Sequence, residues 1–341
     1  MIEEASIHKH TKKGVWVLVI SALFVVALFI ALDQLQLTDI KRSLLSADPL
    51  LIALSTVSMC LAFVGMGFRW RALMPVKPPI FPLSGIICAG LLLNYATPGP
   101  LGELASAYFA SKRYSLSFTE ALASGVIARL VGLISAAILG AFIWILFPLS
   151  IQEDLVLPIE LIALFCLGLG LGLLSVLFFP SFWKHITEPR STENPRSSIK
   201  KYVLLAQKSI YQLCMDAISL SQSPKSSYPY AVLWSFFSHM SVIISIILMA
   251  FSLHADASIS GIIFTYAITT AGAVLLFALP GSYIGWDALF LGLLLSTSGL
   301  TQTQSITIVG IVRIQQLGYM LLGAISLNWL IQPSISSPHK E

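Results

Sequence analysis

The stretch Pro98-Gly99-Pro100-Leu101-Gly102-Glu103 interrupts a long apolar run, and Pro280-Gly281-Ser282-Tyr283-Ile284-Gly285-Trp286-Asp287 interrupts another in a similar way. An arginine then lies inside an apolar run 26 residues after each acid, at Arg129 and Arg313. Helix breaks and lone charges are costly in lipid, so they persist there only where protein, water or a ligand satisfies them. A repeated broken segment with a buried charge is typical of the two halves of a membrane transporter.

The composition of the chain also indicates a membrane protein. Charged residues make up 11% of the 341 residues and hydrophobic residues 56%, whereas a typical soluble domain has about 25% charged residues. The four cysteines have no spacing typical of a zinc site or a disulfide framework, so we expect free, buried thiols. The sequence predicts no metal site and no cofactor.

Apolar runs of about 20 residues predict six full membrane spans. They cover about residues 14–32, 50–68, 118–147, 159–180, 229–253 and 306–331. Two further apolar regions, about 80–111 and 259–297, contain the interrupted stretches and predict broken or re-entrant helical hairpins. The predicted fold class is an all-α polytopic membrane protein. A pair of full spans in place of each hairpin remains open.

The basic residues predict the orientation of the spans. Lysine and arginine accumulate in cytoplasmic loops, and with a cytoplasmic N-terminus 16 of the 20 fall on that side. Both ends of the first hairpin then lie in the cytoplasm and both ends of the second lie outside. This predicts an inverted-repeat helical bundle in the cell (inner or plasma) membrane, with both termini cytoplasmic. Topology explains the basic residues, so no nucleic acid is a predicted partner.

The hydrophilic segment 181–226 divides the chain into a first membrane half, 1–180, and a second, 227–341. From Ile199, apolar residues recur at helical spacing among lysines, which indicates an interfacial amphipathic helix or, equally, a surface helix packed on the bundle. This linker is too short for a catalytic domain. No nucleophile–base signature or phosphate-binding glycine loop is visible, so nothing in the sequence indicates an enzyme or catalytic residues.

Polar residues near the breaks form a candidate site for a lipid head group: Asn94, Glu103, Arg129, Asp287 and Arg313. Arginine can hold a phosphate through paired donors. The alternative is that each acid only neutralises its arginine, Glu103 with Arg129 and Asp287 with Arg313. Asn94 would bind a head group or cap the broken helix. The helix-break elements are Pro98, Gly99, Gly102, Pro280, Gly281 and Gly285.

Other unusual residues have structural interpretations. Arg69-Trp70-Arg71 ends a span, and we expect it to anchor the helix at the inner interface. His239 lies alone in an apolar helix and is expected to be a packing residue. The glycines at 168, 170 and 172 are expected to allow close helix packing.

Several of these motifs together are similar to those of a known family. They are Leu93-Asn94-Tyr95-Ala96-Thr97-Pro98-Gly99-Pro100-Leu101-Gly102-Glu103, Ala121-Leu122-Ala123, Arg129-Leu130, Arg69-Trp70 and Leu279-Pro280-Gly281 with Gly285, Asp287 and Arg313. Through them the chain resembles the lysylphosphatidylglycerol synthase transmembrane region, a flippase-like family. It departs from that pattern at Ser106, where an arginine is common, at Ala128 and Gly132, where acids are common, and at Asp287, which replaces a glutamate.

The resemblance implies a standalone membrane member without the synthase domain. It implies movement of a phospholipid or a lipid-linked molecule, such as a polyprenyl-phosphate type, between leaflets. The alternative is a non-transporting membrane partner that presents a lipid to a separate glycosyltransferase or lipid-modifying synthase. A membrane-embedded transferase is a third, weaker hypothesis. The predicted partners are therefore membrane lipids and, under the alternative, such an enzyme.

Overall fold

The computed structural model is helical, without strands, in the part of the chain that it describes. That part comprises residues 37–96, 101–149, 151, 153–188, 207–208, 211–212, 214–216, 218, 227–276 and 282–325. Two compact units are present, Met1–Ala47 and Asp48–Glu341. The first contains helix α1 (Leu37–Leu45).

The second unit contains ten further helices among the described residues. They are α2 (Pro49–Leu73), α3 (Ile80–Ala96), α4 (Leu101–Tyr114), α5 (Phe118–Leu146), α6 (Glu153–Phe178), α7 (Pro180–Thr187), α8 (Tyr228–Ser252), α9 (Ile259–Leu276), α10 (Ser282–Thr297) and α11 (Gln302–Ile325).

Five of these helices, α2, α5, α6, α8 and α11, are long and apolar enough to cross a membrane. They match five of the six predicted spans within a few residues, and the prediction of an all-α polytopic membrane protein is confirmed. The remaining predicted span, about 14–32, lies outside the described residues. Of the predicted interfacial helix, the described positions between 207 and 218 are helical. The division into halves at 181–226 stays a prediction.

Capping residues explain where two of the long helices begin. Asp48 precedes Pro49 and accepts hydrogen bonds from the backbone N–H groups of Leu50 and Leu51 at 2.8 and 3.3 Å. Ser117 and Glu120 form a reciprocal capping box at the start of α5. In both cases side-chain oxygens satisfy N–H groups that the first helical turn leaves unpaired.

Each predicted hairpin region forms two short helices, α3 with α4 and α9 with α10. Helices α3, α9 and α10 are apolar, whereas α4 carries charged residues in its first and last turns. These helices have 14 to 18 residues, fewer than the ~20 that a full span needs. The breaks at 97–100 and 277–281 lie outside the described residues, together with Pro98, Gly99, Pro280 and Gly281. Helices α3 and α4 approach closely at Gly102, where a side chain would run into the Gly90 carbonyl and Asn94. The re-entrant course stays a prediction.

The long helices that precede the two hairpin regions, α2 and α8, pack side by side and run antiparallel. At one end the N–H of Ser227 donates to the carbonyl of Ala72 at 2.9 Å, and at the other the N–H of Asp48 donates to the carbonyl of Ser252 at 2.9 Å. Small residues permit this approach: Gly65 packs against Ser238. This antiparallel pair is what an inverted repeat would produce.

The two halves also exchange contacts reciprocally. Gly140 of α5 packs against Ile268 of α9, and Gly323 of α11 packs against Cys88 of α3. A Cβ at Gly140 would be 2.8 Å from Ile268 Cδ1, and one at Gly323 would be 2.5 Å from Cys88 Cβ. The long helix that follows each hairpin region, α5 or α11, thus packs on the first helix of the other hairpin region. This exchange and the antiparallel α2–α8 pair support the inverted repeat, which stays a prediction.

Candidate functional site

A cavity of about 250 Å³ lies between the helices of the two halves. Every helix from α2 to α5 and from α8 to α11 contributes to its wall. Most of the wall is apolar. Its ionisable side chains include Arg69, Glu103, Arg129, His239 and Arg313.

The first predicted pair of charges is formed in the structure. Arg129 of α5 makes an ion pair with Glu103 of α4, and the two side chains are 26% and 25% exposed. Asn94 at the end of α3 donates from Nδ2 to Glu103 Oε1 at 3.0 Å and accepts from the N–H of Gly102 at 2.6 Å. Asn94 therefore holds the first turn of α4 and also orients the carboxylate.

The second predicted pair is formed by α10 and α11. Arg313 donates from Nε to Asp287 Oδ1 at 2.6 Å, and its Nη1 donates to Gln316 Oε1 at 2.6 Å. Its guanidinium lies over the Trp286 ring, 4.5 Å from the centroid. Gly285 lies in the first turn of α10. In both halves, then, an acid early in the second hairpin helix pairs with an arginine of the following long helix.

The structure therefore brings each acid to its arginine and places both arginines on one cavity. The alternative in which each acid neutralises its arginine is therefore observed for both pairs. Contact of these five residues with a lipid head group stays a prediction.

Arg69 and Trp70 belong to the cavity wall, although sequence reasoning expected an interfacial anchor there. Trp70 is 4% exposed, and its Nε1 donates to Ser124 Oγ at 3.0 Å. Arg69 Nη1 donates to Ser235 Oγ at 3.3 Å. A signal was present in the sequence: Met59, Met66 and Arg69 recur at helical spacing and all line the cavity.

His239 is satisfied on both ring nitrogens. Nε2 lies 2.8 Å from the carbonyl oxygen of Gly132, and Nδ1 lies 3.0 Å from the hydroxyl of Tyr266. A carbonyl only accepts, so Nε2 carries the hydrogen, and a neutral ring completes both bonds when Tyr266 donates to Nδ1. His239 thus fixes α5 to α8 and α9, in line with the expected packing role.

The helices and the cavity define a polytopic α-helical membrane protein with charged groups in its interior. The family described as the lysylphosphatidylglycerol synthase TM region matches residues 15–323. The chain belongs to that family, as its motifs predict. Comparisons with curated proteins and with solved structures found no match.

Proposed function

We propose that this protein binds the head group of a phospholipid or a polyprenyl-phosphate-type lipid in the cavity and moves the lipid between leaflets. The observation that carries the proposal is a cavity, among helices suited to span a membrane, with a paired arginine from each half on its wall. Charged side chains inside a membrane need a partner, which can be another charge, water or a ligand. Membership of the family supports a role in lipid handling.

The volume of the cavity favours a head group over a whole lipid. Pockets that enclose drug-sized ligands measure about 300–1,000 Å³, and this cavity measures about 250 Å³. A phosphate with a small polar substituent suits that space, while the acyl chains stay in the bilayer.

The proposed roles follow from the chemistry of the two pairs. Arg129 and Arg313 hold the phosphate, while Glu103 and Asp287 contact cationic parts of the head group or gate the cavity. The side chains of Glu103 and Arg129 keep about a quarter of their surface exposed, so a ligand can reach them. An entering phosphate would replace one carboxylate as the partner of an arginine and would free that carboxylate to contact the head group or to gate the cavity.

Lipid exchange by the purified chain tests the proposal. The full chain is reconstituted in vesicles with a trace of phosphatidylglycerol that carries a fluorophore on a short acyl chain, which leaves the head group unmodified. An impermeant reductant bleaches the fluorophore in the outer leaflet. We expect bleaching to continue past one half of the signal, because inner-leaflet lipid is brought out. Bleaching that stops at one half, as in protein-free vesicles, would contradict the flippase role. If such a chain still retained lipid and co-purified with a synthase or glycosyltransferase, the presenting role would replace it.

The proposed topology places the chain in the cell membrane with cytoplasmic termini. Thr119 and Gln302 are both exposed in the first turns of α5 and α11, the corresponding long helices. In a cysteine-free background, an impermeant thiol reagent added to intact cells should label Gln302→Cys and leave Thr119→Cys unlabelled until the cells are opened. Labelling of both positions from the same side would contradict the inverted repeat.

A further inference from the structure

The charges of the cavity do not balance among the described residues. Arg69, Arg129 and Arg313 line it, and Glu103 and Asp287 pair with the second and third of these. His239 adds no charge in its neutral form. One positive charge, that of Arg69, is therefore left without a carboxylate partner in the described part of the chain.

The excess positive charge is located at the guanidinium of Arg69, as its contacts show. Its Nη1 donates to Ser235, and its buried Nε has no hydrogen-bond partner among the described residues. Its guanidinium lies against Gly132, where an added Cβ would meet the Cζ of Arg69 at 2.9 Å. Gly132 follows Arg129 by three residues, so Arg69 contacts the same face of α5 one turn further along. The absence of a side chain at position 132 leaves room for the guanidinium.

We infer that Arg69 is the primary contact for the phosphate of the bound lipid head group, and that it makes the cavity select anionic lipids. This inference rests on the proposed function. An anion at Arg69 displaces no carboxylate, whereas an anion at Arg129 or Arg313 competes with Glu103 or Asp287. The guanidinium has five N–H donors in a planar fork that matches a phosphate. The phosphate therefore binds at Arg69 first. Arg129 and Arg313 then take part in the movement of the lipid between leaflets.

Two substitutions test this assignment independently. Arg69→Gln removes the charge, and Gly132→Asp keeps Arg69 but supplies a carboxylate beside it. The readout is the affinity of the full chain, in detergent micelles, for phosphatidylglycerol, followed by native mass spectrometry. We expect both variants to bind roughly ten-fold more weakly or worse, the loss typical of one charge-assisted hydrogen bond. Gly132→Asn measures the effect of bulk alone and should weaken binding much less than Gly132→Asp.

Arg71→Gln is the matched control, since Arg71 lies two residues away on α2 and lines a different surface pocket with Lys77 and Trp234. It should bind phosphatidylglycerol as the unmodified chain does. Equal weakening by Arg71→Gln, or by Gly132→Asn and Gly132→Asp alike, would overturn the role of Arg69. So would unchanged affinity in Arg69→Gln.

The outcomes separate this inference from the proposed function. If the unmodified chain binds and exchanges phosphatidylglycerol while Arg69→Gln does so equally well, only the Arg69 assignment fails. If the unmodified chain binds no phosphatidylglycerol, the proposed function fails and this assignment with it. Soluble glycerol 3-phosphate, which lacks acyl chains, should not compete at equal concentration. Equal competition would overturn the lipid as the source of the phosphate.

Discussion

Replacing Glu103 and Arg129 together by glutamine should give a folded protein that exchanges lipid about ten- to a hundred-fold more slowly. An arginine–phosphate contact is a charge-assisted interaction, worth about 1.5–3 kcal/mol, and this range corresponds to that loss. The double substitution removes both members of the ion pair, so neither member is left behind as a new unpaired charge in the cavity wall. The measurement is the bleaching rate of acyl-chain-labelled phosphatidylglycerol in vesicles.

The single substitution Arg129→Gln is a poorer test of transport. It leaves the Glu103 carboxylate with the amide of Asn94 as a partner but without its cation. Breaking a buried pair on one side costs about 3–5 kcal/mol, and the partial exposure of both side chains reduces that figure. We therefore expect lower folded yield from Arg129→Gln than from the double variant. This contrast separates a loss of folding from a loss of exchange.

A surface ion pair supplies the matched control. Asp39 and Arg42 lie three residues apart on α1, with 3.7 Å between Oδ1 and Nη1 and with side chains 38% and 84% exposed. Asp39→Asn with Arg42→Gln removes the same two charges at the surface, where a pair contributes little. Exchange should be unchanged. If the Glu103/Arg129 double variant, folded as judged by its elution and melting, exchanged as fast as this control, Arg129 would have no role in transport.

Replacing Gly323 by leucine should strongly destabilise the protein, whereas the same change at Gly318 should be tolerated. A Cβ at Gly323 would lie 2.8 Å from the Gly85 carbonyl oxygen and 3.1 Å from the Ala89 nitrogen. These are backbone atoms of α3, which move only if the helix moves. Overpacking costs about 1–3 kcal/mol where side chains can adjust, so the cost here is at the upper end or beyond. Folded yield and melting temperature in detergent are the measurements.

Gly318 is the control because it lies on the same helix and an added Cβ there meets nothing within 4 Å among the described residues. Gly140 provides an intermediate case: its nearest neighbour is the Cδ1 end of the Ile268 side chain, which can rotate. The expected order of stability is Gly318→Leu, then Gly140→Leu, then Gly323→Leu. Equal melting temperatures for the leucine variants of 318 and 323 would contradict the packing of α11 on α3.

The span positions were predictable because they depend on local chemistry, and the two acid–arginine pairs were one of the two interpretations that the sequence left open for these charges. An apolar run of sufficient length has few alternatives to a membrane helix, and α2, α5 and α8 begin within a residue or so of the predicted bounds. An equal spacing of 26 residues separates Glu103 from Arg129 and Asp287 from Arg313, and the two pairs lie in similar sequence contexts. Charges in apolar runs seek partners, so the pairing needed no knowledge of the fold.

Other features depend on which helix packs against a given residue, and the sequence pattern does not predict those contacts. Of the glycines at 168, 170 and 172, an added Cβ at Gly170 would lie 2.7 Å from Ala137 Cβ, while one at Gly168 or Gly172 meets nothing within 4 Å in the described structure. Arg69 near the end of a span has the sequence context of an interfacial anchor, yet α5 and α8 enclose it. Three features therefore depend on packing between distant segments: the cavity, the position of the Arg69 charge in it, and the space beside Gly132. Each involves atoms that only folding brings together.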